Sequence, residues 1–455
     1  MKETIPSAPD FGGVQRGNVS DFSPRKAKNN SDTFFPGTCA SEKTLYAAQV
    51  CEASPASRVR AAPCFPSNCS VPSGTEQLPV DHYLDNAATT RVCPEAAEAA
   101  LRAMTEVYGN PSSTHTKGRE AKKLLETARS QVAGALGCKN DELVFTSCGS
   151  ESDNWAILAG AEANRRHGGH IISSAVEHDA VRRSLDELEQ RGFRVTRLKP
   201  DKSGSIPPEA VREALNEDTI LVSLMLVNNE TGAINDICAI SKLLKAESSH
   251  ALLHTDAVQG FLKLPFRASA LGADLISISA HKIHAPKGIG ALYIRSGLRL
   301  KPFLVGGAQE NGRRAGTEAL PQIAAFGAAS ALGAAQLTSS TAHMAVLQQR
   351  ILERLTPAIP ELQHIGGGAP HILSLSLPGW RSEVLMNFLE AREVYVSRSS
   401  ACKKGARSHV LEAMGLPSRV IDGALRIGLS RYTTEEDVDA LCAGLIDAYK
   451  TLAHR

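Results

Sequence analysis

The chain has 455 residues, 42% of them hydrophobic and 22% charged, the balance of a globular protein with material for two or three domains. Lys and Arg number 50 and Asp and Glu 48, so the formal net charge of +2 excludes any general electrostatic pull toward nucleic acid or an anionic membrane. No apolar run reaches the about 18 residues that span a bilayer, and the opening MKETIPSAPD lacks the charged-then-apolar pattern of a signal peptide. The ten cysteines are scattered without a CxxC or Cys/His ligand cluster. Neither a metal site nor a disulfide framework is expected, and the default is a cytoplasmic protein with reduced thiols.

Residues 1–80 are rich in Ser, Pro, Ala, Asn and Gly and keep no helical or strand period. A stretch such as ASPASRVRAAPCFPSNCSVPSG buries too little apolar surface to offset the entropy of ordering it. A disordered extension is expected there, with Cys39, Cys51, Cys64 and Cys69 as incidental thiols. From Tyr83 the pattern becomes regular. DELVFTS, from Asp141, reads as a short buried strand, and a helix begins near Ser150. HIISSA is a strand and AVRRSLDELEQRG a helix; FRVTRLKP is a strand and PPEAVREALN a helix opened by proline. TILVSLMLV is a strand, DICAISKLLKAES a helix, ALLHTDAV a strand, and ADLISISA and GIGALYI two more strands. Strands alternating with helices imply βαβ units and a mostly parallel central sheet flanked by helices. Continuously apolar strands imply a sheet covered on both faces. After about residue 335 a long helical stretch, TAHMAVLQQRILERLTPAIP, precedes short strands in ILSLSLPG and RIGLSRYT, as in a smaller α+β domain. The expected division is a large α/β domain over 98–335 and a small one built from 82–97 and 336–455.

Three segments carry chemistry. In SISAHKIHAPKGIG, Lys282 follows an apolar strand. Strand carboxyl ends are where open α/β sheets bind ligands, and a partly desolvated lysine there can form a Schiff base, although strand-end lysines are usually simply solvated. In HTDAVQ, Asp256 ends a buried strand and needs a donor, either a helix start that it caps or a protonated pyridine nitrogen. In TSCGSESDN, Gly149 and Ser150 at a helix start suit a phosphate cradle, or the Ser and Glu form a capping box.

Taken together, YLDNAATT, YGNPSSTHTKG, VFTSCGSESDN, VEHDAV, VNNETG, HTDAVQ, SAHKIHAPKGIGALYI, GRRAGTE, SRSSAC, SHVLEAMG and LRIGLSRYTTEED occur in one order over about residues 82–440. In these segments the chain resembles the class V, fold-type I enzymes that use pyridoxal 5'-phosphate (PLP), and within them the NifS/IscS-like cysteine desulfurases. The resemblance implies the α/β PLP-dependent transferase fold of type I and a homodimer with shared active sites. It implies that Lys282 binds the cofactor covalently and moves the substrate's Cα proton, that Asp256 pairs with the ring nitrogen, and that Gln259 bonds the ring oxygen. His178 would stack on the ring and shuttle protons; Gly149, Ser150, Ser279 and His281 would hold the phosphate, with Thr317 reaching the phosphate of the neighbouring subunit. Asn229 and Arg426 would hold the substrate carboxylate, although Arg426 in an apolar run also suits a structural ion pair. His254 is expected to line the site wall, without a catalytic task.

Cys402 decides the reaction. It lies in SRSSACKKGARSH, among small residues, flanked by Arg398, Lys403 and Lys404, whose charge favours the thiolate. At the family's SAC position it would accept sulfur from L-cysteine as a persulfide, leave L-alanine, and pass the sulfur to an acceptor protein such as an iron–sulfur scaffold. Two departures stand out: Cys148-Gly149-Ser150 replaces the usual Gly-Ala-Thr, with Cys148 expected to be a small packed residue, and Arg398-Ser399 replaces Ser-Gly in a loop that is short after the cysteine. The alternatives are a selenocysteine lyase, a class V aminotransferase, for which no nucleophilic cysteine is needed, and a noncatalytic sulfur-handling interaction protein.

Overall fold

The computed structural model describes residues 81–398 and 407–452. The segment read as a disordered extension, with its four cysteines, lies outside the described residues, and so does Cys402. In chain order the strands are β1 (His82–Tyr83), β2 (Leu143–Thr146), β3 (His170–Ser174), β4 (Arg194–Leu198), β5 (Thr219–Ser223), β6 (Leu252–Asp256), β7 (Leu275–Ser279) and β8 (Gly290–Ile294), followed by β9 (Gln363–Ile365), β10 (Ile372–Ser376), β11 (Val394–Tyr395), β12 (Ser397–Arg398) and β13 (Ala424–Gly428).

Seven of them form the central sheet in the order β2-β8-β7-β6-β5-β3-β4. The strands β4, β3, β5, β6 and β7 run parallel, as their alternation with helices requires. β8 is antiparallel to both its neighbours, because the connection from Ser279 to Gly290 carries no crossover helix. Successive strand residues face opposite cores. Ile172, Val222, Leu253 and Ile276 pack on one side. Ile171, Leu221 and Leu252 pack on the other with Leu185 and Leu188. This is why the strands read as unbroken apolar runs. β5 is shorter than its apolar run suggests: past Ser223 the chain leaves regular pairing, and Met225 and Val227 turn toward the cavity described below.

Of the first four helices, the last two contribute residues to that cavity. α1 (Pro94–Thr105) starts at a proline. α2 (Thr116–Leu136) is stopped by Gly137 in the left-handed conformation at φ 76°. α3 spans Gly149–Asn164 and α4 Asp179–Gln190. The second sheet, β12-β13-β10-β9, is antiparallel. Its Leu373, Leu375, Leu425 and Ile427 pack with Ile351 and Leu355 of helix Leu337–Ala358 and with Leu441 and Leu445 of helix Glu435–Thr451. β1 joins this side of the protein by parallel pairing with β11. The boundary expected between residues 97 and 98 falls inside α1, whose Ala96 and Ala103 both belong to the core of the large sheet.

Candidate active site

At the carboxyl ends of the parallel strands lies a cavity of about 530 Å³. Lys282 from the turn after β7, Asp256 from the end of β6, His178 from the start of α4 and Gly149 from the start of α3 all line it. So do Ser150, Asn229, Gln259, Ser279, His281 and Arg426. Residues separated by up to 339 positions thus meet in one space, from Ala87 to Arg426.

The segment Ala87–Arg91 positions the lysine. Lys282 Nζ donates to the carbonyls of Ala87 and Ala88, each at 2.7 Å, and Gln259 Nε2 donates to the Ala87 carbonyl at 2.9 Å. Thr90 Oγ1 donates to the His281 carbonyl at 2.9 Å and accepts from the His284 amide at 2.8 Å. The latter bond holds His284 in a left-handed conformation at φ 69°, which carries the chain away from the lysine. His281 Nδ1 lies 3.2 Å from Thr89 Oγ1, and burial, reinforced by Lys282, lowers the His281 pKa to about 4.

The cavity floor is acidic. One ring nitrogen of His178 and one carboxylate oxygen from each of Asp256 and Asp153 lie within 4.8 Å of one another. Asp256 accepts from the Val258 amide at 2.9 Å, so it does make the local turn that a strand-end aspartate often makes, while it faces the cavity. Burial raises its pKa, against the pull of His178 and Lys282. His178 likewise caps α4, its Nδ1 accepting from the Ala180 amide at 3.2 Å. Asp153 escaped the sequence reading. It stands four residues after Gly149 on α3, the spacing that puts both on one helix face. Burial, then the neighbouring Asp256, raises its pKa well above the usual range. His254 does not line the wall. It is fully buried behind the floor, bonded to Ser223 Oγ at 2.8 Å and Ser277 Oγ at 3.0 Å, and burial lowers its pKa to about 3.

At the α3 start no capping box forms. Cys148 is the N-cap without a side-chain bond, and the Glu151 carboxylate instead accepts from the Ser147 amide at 2.7 Å and pairs with Arg314 at 2.9 Å. Ser279 Oγ is buried here without a partner, and a Cβ on Gly149 would meet Val258 Cγ2 at 2.8 Å. The first turn therefore leaves an open nest with unpaired amides and a hydroxyl aimed at it. Cys148, expected to be packed, is half-buried and lines the cavity. Thr317 does not: it is exposed on the loop that the Arg314–Glu151 pair ties to α3.

Arg426 is both a cavity residue and an ion-pair partner, bonded to Asp85, Ser397 and the Asn229 carbonyl. The residues on either side of the undescribed segment 399–406 are anchored beside it. Ser408 Oγ donates to Glu230 Oε2 at 2.5 Å, and Arg398 pairs with Glu383 at 2.9 Å. Burial pushes the Glu230 carboxyl up to about 7.

Glu177, beside His178, is fully buried and accepts from Ser174 Oγ at 2.6 Å and from the Met225 amide. Burial raises its pKa from 4.5 to about 8 despite these bonds. The folded protein therefore holds this proton more tightly than the unfolded chain, and stability falls as pH rises from 4.5 to 8. Glu177→Gln removes the titration. Its stability relative to wild type is expected to rise between pH 5 and pH 8 by on the order of a few kcal/mol, read from unfolding midpoints of the cofactor-free protein. Parallel pH profiles for the two proteins would refute this.

The sequence model of the aminotransferase class-V family matches residues 82–441. The chain is 44% identical over 363 residues to the cysteine desulfurase IscS of Methanosarcina thermophila, covering 78% of this chain and 89% of that protein. Among solved structures it is similar to a NifS-like protein at 36% identity and TM-score 0.77, covering 82% of this chain and all of that one. It is also similar to SspA, solved in complex with cysteine, at 31% identity and TM-score 0.68, covering 77% and 99% of the two chains. With its lysine, acid and histidine gathered at the strand ends, the chain belongs to the aminotransferase class-V family, in the NifS/IscS-like cysteine desulfurase branch.

Proposed function

We propose that this protein is a PLP-dependent cysteine desulfurase that converts L-cysteine to L-alanine and receives the sulfur on Cys402. The observation that carries the proposal is the meeting of Lys282, Asp256, His178, Arg426 and the α3 nest in one cavity. The residues present fit the cofactor. The nest and the orphaned Ser279 hydroxyl suit a phosphate, with Gly149, Ser150 and His281 around it. Asp256 is buried, and its hydrogen bond from the Val258 amide is uncharged, so a protonated ring nitrogen would give it a charged donor. Bound there, PLP supplies an electron sink for charge released at the substrate's Cα.

The chain's own residues do the rest. Lys282 holds the cofactor, then takes and returns the Cα proton. Gln259 and Asn229 orient the bound ring, and His178 carries the second proton. Asn229 and Arg426 grip the substrate carboxylate. The Cys402 thiolate attacks the substrate sulfur: a sulfur–sulfur bond forms, the carbon–sulfur bond breaks with its electron pair left on carbon, and a proton replaces sulfur there. L-cysteine and the Cys402 thiol thus become L-alanine and a Cys402 persulfide, with no outside oxidant or reductant. The persulfide then passes to an acceptor protein, for which an iron–sulfur scaffold is the proposed class. A free thiol at the centre of the reaction suits the reducing cytoplasm.

The same reading places Thr317 at the phosphate of a second subunit, which makes the working unit a homodimer. It divides the chain into a large domain, 98–335, and a small one, 82–97 with 336–455, connected through α1. The test is alanine release from L-cysteine by the PLP-loaded protein beside Cys402→Ala. Wild-type release, lost in the variant with the cofactor's visible spectrum intact, is the expected result. Equal release from both proteins removes Cys402 from the reaction, and release from neither with cofactor bound turns the reading toward transamination.

A further inference from the structure

Arg426 reaches the cavity with its donors already engaged. Nη2 donates to Asp85 Oδ1 at 3.0 Å and to Ser397 Oγ at 2.8 Å, and Nη1 donates to the Asn229 carbonyl at 2.9 Å. Ser397 Oγ in turn donates to the same Asp85 oxygen at 2.8 Å, closing a triangle. One proton of Nη1 is left, and so is Nε, which is buried and without a partner. A guanidinium grips a carboxylate with both oxygens across one of two forks, Nη1 with Nη2 or Nε with Nη2. Both forks need Nη2, which has two protons, and both are given away. As the site stands, Arg426 can offer an incoming carboxylate single bonds from Nη1 or Nε, but no fork.

The energetics say why the triangle exists. The Arg426 side chain is 3% exposed, and a guanidinium this buried needs a negative partner whether or not substrate is present. Asp85 supplies it at 22% exposure, near enough to water to be solvated when released. Its backbone is fixed by the bridge to Gly428 and by the Leu84 carbonyl, which accepts from the Gly428 amide at 2.6 Å. Side-chain rotation is therefore the motion available to it.

We propose that Asp85 is an internal stand-in for the substrate carboxylate: it neutralises Arg426 in the free enzyme and is displaced from Nη2 when an α-amino acid binds. The proposal rests on Arg426 being the carboxylate site. It makes Asp85 a specificity-determining residue. Amino acids with a free carboxylate repay the exchange, whereas an amine without one leaves the triangle closed.

The test measures affinities of L-alanine and of ethylamine for the PLP-loaded protein by calorimetry, in wild type, Asp85→Asn and Arg426→Gln. Asp85→Asn removes the competing charge, so L-alanine is expected to bind roughly tenfold more tightly, the worth of one charge-assisted hydrogen bond. Ethylamine affinity stays unchanged. L-alanine binding that is unchanged or weaker in Asp85→Asn overturns the proposal, because a residue that merely braces Arg426 gives that result. An equal change for both ligands overturns it too, since the effect then lies on the amine side. Arg426→Gln reports on the underlying reading separately: if it leaves the L-alanine to ethylamine ratio unaltered, Arg426 is not the carboxylate site. Should Asp85→Asn fail to fold, wild-type crystals soaked with L-alanine decide. The Asp85–Arg426 bond opens if the proposal holds and persists if it is wrong.

Discussion

Lys282→Ala is expected to release alanine from L-cysteine roughly 10⁴-fold more slowly than wild type, and to lose the visible absorbance of lysine-bound PLP. The size follows from the position of the side chain. Lys282 Nζ is held on the Ala87 and Ala88 carbonyls at the cavity wall, and among the described lysines it alone lines that cavity. The variant keeps its fold, because the half-buried lysine leaves behind two carbonyls that water can reach. An unfolding midpoint close to wild type beside the lost activity separates chemistry from stability. Turnover at the wild-type rate would remove the lysine from the mechanism.

Glu310→Gln is expected to destabilise the protein by about 3–5 kcal/mol. Glu310 is bonded by both oxygens to Arg129, at 2.7 and 2.9 Å, and accepts from the Phe145 amide at 3.0 Å, with side-chain exposures of 3% and 9% for the pair. Glu126, at 3.5 Å and half exposed, is a poor replacement. Glu310 also adopts a left-handed conformation at φ 49°, which the pair stabilises against its intrinsic cost. Neutralising the glutamate leaves a buried guanidinium stacked over the Phe145 ring with its charge uncompensated. The double variant Arg129→Met, Glu310→Leu is expected to recover most of the loss, as apolar replacement of both partners does elsewhere. Urea unfolding of the three proteins checks both statements, and a loss under 1 kcal/mol in Glu310→Gln would refute the first.

The parallel sheet was legible in the sequence because its inner strands bury both faces, which makes them rich in apolar residues, and because strands alternate with helices. The site was legible through eleven segments that together resemble one family; each strand-end or helix-start residue alone left a solvated or capping role open. Other features were hidden for physical reasons. Helix Leu320–Ala335 has no polar face to give it a period: it packs against α1 and α2, and a Cβ on its Gly327 would meet Ala128 Cα at 2.7 Å. Asp153 and Asp85 lie in motifs that were recognised, but their partners are 103 and 341 positions away, Asp256 and Arg426. Local spacing says nothing about such pairs. His254 shares a strand with Asp256 and points to the same side, yet the floor of the cavity closes in front of it.

The pairing of β1 with β11 also orders the birth of the molecule. His82 and Val394 are register partners 312 positions apart, and Leu84 belongs to the core of the second sheet. At about 5–20 residues per second, synthesis separates the two strands by roughly 15–60 s. The large sheet, complete at Ile294, can fold on the ribosome in that interval, while β1 waits unpaired with its apolar neighbour exposed. The triangle of Asp85, Ser397 and Arg426 closes only when β13 has emerged. A nascent chain therefore acquires its lysine loop early and Arg426 late, and no truncated product that ends before residue 424 carries both.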